Sequence, residues 1–343
     1  MPTRAQDDGT TRVATFALPA SAFLGPETRS ALKRQATDFE KIDEMCPSHR
    51  SGRPSNEYVF AFRQCIDQYY FPPLIARHRD RYKVHIAPET LGGVSTEIIE
   101  PADGVPNSNR DRVLINLHAG AFTQGGQWGG QAESIPIAAL GGITVVSVDY
   151  RMAPEHRFPA ASEDVANVYC TLLREHRPEN IGIYGCSAGG VLTAQSVAWM
   201  QKEGIPLPGA VGMFCGAASH WSEGDSGHLS AALGDPGGSI DDNPYFVGTA
   251  REDPLAFPVY SQQILARFPP SLLISSTRDL ALSSVVHTHS RLVKLGIRAD
   301  LHVWEGMGHA FLLEPEFAES GEAYEVIVRF FNQYLGRREM CTR

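Results

Sequence analysis

The spacing of apolar residues changes along the chain near residue 80. In the segment 56–80, apolar side chains recur at helical spacing, and a double proline, Pro72-Pro73, interrupts the segment. Strand-like alternation is absent from residues 1–80. We therefore expect this N-terminal part to form helices that pack on another part of the molecule.

After residue 80, two alternating segments flank Gly92-Gly93, and short apolar segments then alternate with helical patterns. The expected strands are 82–89, 94–101, 113–120, 143–150, 181–187, 209–217, 270–279 and 299–306. The expected helices between and after them are 133–140, 162–176, 188–204, 281–295 and 316–335. Continuous apolar strands that alternate with helices predict an α/β fold with a mostly parallel eight-stranded sheet, covered by helices on both faces.

The segment 218–258 breaks this rhythm and is rich in Gly, Asp and Pro. We expect it to join the N-terminal helices in a cap over the carboxyl edge of the sheet, where the sites of α/β proteins lie. The expected organisation is a helical cap segment, 1–80, and a catalytic domain, 81–343, with 218–258 contributing to the cap.

Charge and hydropathy exclude two classes of function. The formal net charge is −9 and no cluster of Lys and Arg stands out, so nucleic-acid binding is not expected. No apolar run reaches the length of a transmembrane helix. Residues 13–25 weakly resemble a signal peptide, but Asp7 and Asp8 precede them and Pro19 interrupts them, so secretion is not expected.

The six cysteines are dispersed and form no C-x-x-C pair. A chain of 343 residues buries enough core to need no disulfide. We therefore expect free thiols, a reducing compartment and a cytoplasmic location. The six are Cys46, Cys65, Cys170, Cys186, Cys215 and Cys341.

Residues 181–190, IGIYGCSAGG, place a serine between two glycines where an expected strand meets an expected helix. A G-x-S-x-G match alone is weak, but this context is the one that a nucleophile elbow requires. Glycines on either side keep Cβ atoms out of a tight turn that projects the serine from the backbone. The pattern favours Ser187 as a nucleophile, and a structural turn is the alternative.

An activated serine needs a base and a group that orients the base. Asp279 follows one expected strand and His309 follows the next, in the Ser, Asp, His order of this type of fold. The alternatives are a helix-capping role for Asp279 and an ordinary role for His309. Rival candidates are an acid in the strand-to-loop turn and two histidines in an expected helix, namely Glu305, His287 and His289.

The stretch His118-Ala119-Gly120-Ala121 follows an earlier strand of the expected sheet. Small residues there allow backbone N–H groups to approach a developing negative charge, and the N–H of Ala188 adds a further donor. A tight strand-to-helix turn is an equally good interpretation of this stretch alone.

Taken together, these motifs resemble the hormone-sensitive-lipase-like family of α/β-hydrolase esterases from about residue 80 to the C-terminus. The similar segments are HAGAF (118–122), DYRMAPEHRFPA (149–160), GCSAGG (185–190) and DPLAFPVYS (253–261), with Asp279 and His309 following in order. The resemblance implies the α/β-hydrolase fold, hydrolysis of short-chain acyl esters, a helical cap, and no metal or other cofactor.

The resemblance also implies roles for single residues. Ser187 would be the nucleophile, His309 the base and Asp279 its orienter. The oxyanion hole would consist of the N–H groups of Gly120, Ala121 and Ala188. Asp149-Tyr150-Arg151 and Glu155 would be structural support beneath the site.

Several positions depart from the family pattern. Ala119 and Ala121 replace glycines, and the methyl group of Ala121 is expected to crowd bulky alcohols. Cys186 replaces the usual Asp or Thr beside the nucleophile, and we expect it to point away from the site. Phe122 and Trp128 are candidates for the wall of a substrate pocket, with a place in the core as the alternative.

The sequence thus predicts a serine carboxylesterase that acts through an acyl-enzyme. Amidase, carbamate hydrolase or lactonase activity would use the same residues. A non-catalytic receptor for small ligands is the alternative outside enzymes, and the presence of His309 disfavours it. The expected partner is a small-molecule ester, with neither nucleic acid nor membrane, and the family resemblance suggests a homodimer through the exposed last strand.

Overall fold

The computed structural model describes residues 17–48, 52–233 and 238–336, and its centre is one eight-stranded sheet. The strand order is β1-β2-β4-β3-β5-β6-β7-β8. β1 and β2 pair antiparallel, β2 pairs antiparallel with β4, and the remaining pairs are parallel. The strands are β1 Val84–Leu91, β2 Val94–Pro101, β3 Val113–Leu117, β4 Thr144–Val148, β5 Ile181–Cys186, β6 Ala210–Phe214, β7 Ser271–Arg278 and β8 Ala299–Gly308. The predicted mostly parallel sheet is confirmed.

Ten α-helices in the described ranges connect and cover these strands. They are α1 Pro26–Met45, α2 Asn56–Tyr69, α3 Phe71–Arg81, α4 Trp128–Gly141, α5 Ala160–Leu172, α6 Ala188–Glu203, α7 Asp225–Ala231, α8 Gln262–Leu265, α9 Leu282–Lys294 and α10 Ala318–Tyr334. Pro72-Pro73 lies in the first turn of α3 rather than between elements, because the missing N–H of proline costs nothing there.

The core lies on both faces of the sheet because the central strands β3, β5 and β6 are buried at every position. In β5, Ile181 and Ile183 pack into one cluster, while Tyr184 and Cys186 pack into the other. The first cluster contains residues of α5, α6 and α9, and the second contains residues of α4 and α10. Alternate side chains of a strand point to opposite faces, so both faces need helices to cover them.

Helix α4 begins at Trp128, several residues before the predicted start at 133. The extra turn contains Gly129 and Gly130, which are poor helix formers. A Cβ on Gly130 would overlap the hydroxyl of Ser147 in β4. The glycines therefore let the helix lie close to the sheet, and this tertiary packing outweighs their local preference.

A disulfide joins Cys46, just after α1, to Cys65 in α2, with the two Cα atoms 5.7 Å apart. The expectation of free thiols is therefore wrong for these two residues, because helix packing brings together positions that are 19 residues apart in sequence. Among the other described cysteines, Cys170, Cys186 and Cys215 are free, and Cys341 lies outside the described residues. The cytoplasmic location stays a prediction. It loses the support of free thiols throughout the chain, because the structure contains this disulfide.

Helices α2 and α3 pack against α4 through a small apolar cluster of their own. Phe71, Leu74 and Ile75 contact Ala132 and Ile135 there. None of the helices in the described ranges has the length and apolar character that crossing a membrane requires. The division into a cap segment and a catalytic domain stays a prediction.

Candidate active site

Ser187 lies at the sharp turn between β5 and α6, with φ 54° and ψ −117°. A non-glycine residue adopts this backbone conformation only where its surroundings enforce it. The N–H of Ser187 donates to the carbonyl of Phe214, 2.7 Å away. A Cβ on Gly185 or on Gly189 would overlap the carbonyl oxygen of Leu117. Residues 185–189, called the elbow below, thus require glycine on both sides of the serine.

A continuous chain of hydrogen bonds joins Ser187, His309 and Asp279. His309 Nε2 lies 2.8 Å from Ser187 Oγ, and His309 Nδ1 lies 2.6 Å from Asp279 Oδ1. Asp279 directly follows β7 and His309 directly follows β8, so neighbouring parallel strands deliver both side chains to the carboxyl edge of the sheet. The structure therefore brings together the three residues that the sequence singled out.

The buried carboxylate of Asp279 is held from three sides. Besides His309, the hydroxyl of Ser275 donates to Oδ2 at 2.6 Å and the N–H of Ala281 donates to Oδ1 at 2.8 Å. Burial raises the pKa of Asp279, but the charge of His309 and these hydrogen bonds outweigh burial, and the pKa lies below its ordinary value. The helix-capping alternative for Asp279 is wrong, because Ala281 is the N-cap of α9 and no side chain caps this helix, whereas the bond from the Ala281 N–H fixes Asp279 within the preceding turn.

The rival residues lie elsewhere. Glu305 and His287 are exposed. His289 is half-buried, and its ring lies 3.2 Å from the carbonyl of Ala299.

Residues 118–122, called the oxyanion loop below, follow β3 in a run of left-handed backbone conformations. The φ angles are 120° at Gly120, 52° at Ala121 and 60° at Phe122. Within the described parts of the chain, no acceptor takes the N–H of Gly120, Ala121 or Ala188. Unpaired N–H groups beside a candidate nucleophile are what an oxyanion hole requires.

Side chains from two other segments hold the oxyanion loop. The hydroxyl of Tyr150 donates to the carbonyl of His118 at 2.7 Å, and the two rings stack with centroids 4.0 Å apart. His118 Nδ1 lies 2.7 Å from the carbonyl of Ala119. The amide of Asn243 donates to the carbonyl of Ala121 at 3.0 Å. Segment 218–258 thus contacts the loop directly, through Asn243.

Ion pairs stabilise the segment that follows Tyr150. Arg151 binds Asp164 of α5 at 2.8 Å. Arg63 of α2 binds Glu155 at 2.7 Å and also donates to the carbonyl of Thr123 at 2.6 Å. The bonds of Arg63 thus connect an N-terminal helix, α2, to a residue just beyond the oxyanion loop.

Phe122 and Trp128 occupy different surroundings. The Phe122 side chain is 0% exposed, and its ring stacks on Tyr245 with centroids 4.3 Å apart. It therefore lies in the aromatic core rather than on the wall of a pocket that solvent reaches, because every face of the ring is covered. Trp128 is half-buried and packs beside the cluster of α2, α3 and α4.

Cys186 is fully buried in the apolar cluster on the face of the sheet where α4 and α10 pack. Burial raises the pKa of its thiol, and the thiol interacts with that of Cys215. A buried thiol with a raised pKa is a poor nucleophile. Cys186 therefore does not compete with Ser187.

One group of potential metal ligands lies within the described ranges. Cys215, Asp279 and His309 offer ligand atoms that all lie within 4.8 Å of one another. Two of the three already share the hydrogen bond described above. A cation bound there would replace that bond, so this geometry opposes rather than assists the Ser–His–Asp arrangement.

Sequence reasoning missed Glu133, a carboxylate in α4 that is 2% exposed. It accepts hydrogen bonds from the N–H of Ala119 at 2.7 Å, the N–H of Cys186 at 3.1 Å and the amide of Asn116 at 3.0 Å. Burial raises its pKa to about 8, although these three bonds act in the opposite direction. A signal existed, because Glu133 is the only Asp, Glu, Lys or Arg between residues 113 and 148.

The chain is similar to proteins named as esterases and hydrolases. The family model for the alpha/beta hydrolase fold matches residues 114–313. The acetyl-hydrolase of Streptomyces hygroscopicus is 26% identical over 264 residues, which cover 72% of this chain and 82% of that protein. The putative acetyl-hydrolase LipR of Mycobacterium tuberculosis is 34% identical over 127 residues, which cover 37% of this chain and 40% of LipR.

A solved structure is similar over almost the whole chain. Esterase E25 superimposes with a TM-score of 0.80 and 28% identity, covering 94% of this chain and 98% of that one. The matched family segment, 114–313, includes β3 except its first residue, all of β4 to β8, and the three residues joined by hydrogen bonds. The chain therefore belongs to the α/β-hydrolase family, and its similarity to the acetyl-hydrolases and to esterase E25 identifies it as a carboxylic ester hydrolase.

Proposed function

We propose that this protein is a serine carboxylesterase that hydrolyses short-chain acyl esters through an acyl-enzyme. The observation that carries the proposal is the chain of hydrogen bonds from Ser187 through His309 to the buried Asp279. Ester hydrolysis as the reaction class is further supported by the names of the esterase E25 and of the acetyl-hydrolase of Streptomyces hygroscopicus.

In the first half of the reaction, Ser187 Oγ attacks the ester carbonyl while His309 Nε2 accepts the hydroxyl proton. The imidazolium that forms is stabilised by the carboxylate of Asp279, which also keeps the Nδ1–H tautomer of the ring in place. The lowered pKa of Asp279 means that this carboxylate is ionised throughout the neutral pH range. Collapse of the tetrahedral intermediate then expels the alcohol, which takes the proton from His309.

In the second half, water attacks the acyl-enzyme with His309 as base, and the acid leaves. Both tetrahedral intermediates carry an oxyanion, which accepts hydrogen bonds from the N–H groups of Gly120, Ala121 and Ala188. The removal of one such donor typically costs about 3 kcal/mol of transition-state stabilisation. These donors are backbone groups of the oxyanion loop and the elbow. The rate therefore depends on how precisely these two segments are positioned relative to each other.

The preference for short acyl chains is supported by the acetyl-hydrolase names of two relatives. On the alcohol side, the methyl group of Ala121 replaces the hydrogen of a glycine next to the expected position of the carbonyl. The proposal therefore includes poor turnover of esters of tertiary alcohols.

The cap and the partners belong to the same proposal. The described parts of segments 1–80 and 218–258 form the cap in this proposal, which is supported by the bonds from Arg63 to Thr123 and from Asn243 to Ala121. The proposed reaction uses no metal or other cofactor. A small-molecule ester is the proposed partner, and a homodimer through β8 stays a prediction.

The test compares the wild type with Ser187→Ala on p-nitrophenyl acetate, butyrate and decanoate. We expect turnover of the two shorter esters, and a loss of about 10³-fold or more in kcat for the variant. His309→Ala serves as a matched variant with a comparable loss. Activity that survives the serine substitution would refute the proposed nucleophile, and ligand binding without turnover would indicate a receptor. Faster hydrolysis of anilides or lactones than of esters would assign a different substrate class.

A further inference from the structure

The carboxylate of Glu133 lies between the two backbone segments that the proposed reaction must hold in register. Oε1 accepts the N–H of Ala119, in the oxyanion loop, at 2.7 Å. Oε2 accepts the N–H of Cys186, in the elbow, at 3.1 Å. The two carboxylate oxygens belong to one rigid planar group, so they fix the distance between these two peptide groups.

Each of these N–H groups lies one residue before a proposed participant in the reaction. Ala119 precedes Gly120, whose N–H is a proposed oxyanion donor, and Cys186 precedes Ser187. We infer that Glu133 is a positioning residue that holds the oxyanion donors at the correct distance from the nucleophile. This inference rests on the proposed function of Ser187.

The strain in both segments explains why such a connection is needed. Left-handed conformations occur at three successive residues of the oxyanion loop, 120–122, and at Ser187 in the elbow. Backbone of this kind persists only where surrounding contacts over-determine it. The tyrosine Tyr150 holds the loop from one side, and Glu133 is the group that joins the loop to the elbow.

Asn116 in β3 orients the carboxylate. Its amide donates to Glu133 Oε2 at 3.0 Å, so this oxygen accepts two bonds and the other accepts one. Its own oxygen, Oδ1, has no hydrogen-bond partner in the described ranges. The side chain of Asn116 thus donates to Glu133 while its own buried oxygen stays unpaired. Because buried polar atoms are usually paired, this arrangement indicates that the bond to Glu133 fixes the orientation of the amide.

The partners of Glu133 specify a carboxyl group rather than an amide of the same shape, because each carboxyl oxygen keeps lone pairs that accept from N–H groups whether or not the group is protonated. Both oxygens accept hydrogen bonds from N–H groups, and none of the three partners is a cation. A glutamine at this position would present an NH₂ group to at least one N–H donor, whichever way its amide were turned. The conservative substitution Glu133→Gln therefore keeps the volume and breaks the connection on one side.

The experiment measures kcat, KM and the melting temperature of the wild type and of Glu133→Gln with p-nitrophenyl acetate. It also measures the Ki of an aryl trifluoromethyl ketone, which adds to the serine and forms an oxyanion. We expect kcat to fall about 10- to 100-fold with KM within about twofold, and Ki to weaken by the same factor as kcat/KM.

The matched control is Gln195→Met in α6. Gln195 is equally buried, and its amide donates to the carbonyl of Ala256 at 3.0 Å, away from the oxyanion loop. We expect this variant to melt at a lower temperature with unchanged kcat and Ki. If Glu133→Gln behaved in the same way, Glu133 would be a structural residue and the inference would be overturned.

A second variant, Asn116→Ala, tests the inference if Glu133→Gln does not fold. It leaves the carboxylate in place but removes the group that orients it, and we expect a smaller loss, about 3- to 10-fold, in kcat and Ki alike. Unchanged kcat and Ki would overturn the inference. A wild type that is inactive, or insensitive to Ser187→Ala, would instead overturn the proposed function and this inference with it. Loss in Ser187→Ala without loss in Glu133→Gln would overturn this inference alone.

Discussion

The substitution Asp279→Asn in the candidate triad removes the charge of the side chain but keeps its shape, so it separates the effect of charge from that of hydrogen-bond geometry. In Asp279→Asn, the amide oxygen can stay at the Oδ1 position and accept from His309 and from the N–H of Ala281. The new NH₂ group then replaces Oδ2, the oxygen that accepts a hydrogen bond from the Ser275 hydroxyl in the wild type. A hydroxyl can rotate and accept instead, so the hydrogen-bond geometry and the tautomer of His309 survive the substitution.

The expected loss therefore comes from the missing charge. The hydrogen-bonded atoms are 2.6 Å apart, and with both charges spread over their groups the effective separation is about 4 Å. At an effective dielectric constant of about 20, this gives about 4 kcal/mol of stabilisation for the imidazolium. Each 1.36 kcal/mol changes the rate tenfold, so we expect kcat to fall about 10³-fold.

The assay is steady-state hydrolysis of p-nitrophenyl acetate by the wild type, Asp279→Asn and Ser275→Ala. The Ser275 variant removes a neighbour of the carboxylate but not its charge, and we expect kcat within tenfold of the wild type. Circular dichroism confirms that each variant is folded. An Asp279→Asn enzyme with kcat within tenfold of the wild type would refute the argument that the carboxylate charge stabilises the imidazolium.

Three further predictions concern stability. Because burial raises the pKa of Glu133 to about 8, the folded state holds its proton at pH values where the unfolded state has lost it. We therefore expect the free energy of unfolding to fall by up to about 5 kcal/mol as the pH rises from 4 through 8, and denaturant titrations of Glu133→Gln should lack this fall. Gly189→Ala should lower the free energy of unfolding by more than about 3 kcal/mol, since its Cβ would overlap a β3 carbonyl. Gly321→Ala, on the open face of α10, should instead raise it by about 0.5–1 kcal/mol. Equal melting temperatures of the two variants would contradict this prediction. The double variant Cys46→Ser, Cys65→Ser should lose about 3 kcal/mol and become insensitive to reducing agent. An unchanged free thiol count on reduction of the wild type would show that no disulfide was present.

The sheet and the three hydrogen-bonded residues could be predicted because their signals are local. The inner strands are short and mostly apolar, and Ser187, Asp279 and His309 directly follow β5, β7 and the edge strand β8. Parallel strands bring their carboxyl ends to one edge, so sequence order sufficed to predict that the three side chains meet.

The disulfide and the role of Glu133 depend on contacts between elements that sequence spacing does not specify. Cys46 and Cys65 meet because α1 and α2 pack side by side. Glu133 is a single acid in a helix whose first turn was not expected, and its partners lie on β3, after β3 and on β5. Phe122 could not be assigned because a pocket wall and a core position have the same apolar signature.

The most direct test of the account is to identify the residue that a p-nitrophenyl alkylphosphonate ester modifies. Such a reagent mimics the tetrahedral intermediate and is displaced only by an activated nucleophile. The account predicts release of one equivalent of p-nitrophenol, complete loss of esterase activity and, by peptide mass spectrometry, a phosphonyl adduct on Ser187. An adduct on another residue, or loss of activity without an adduct on Ser187, would contradict the account.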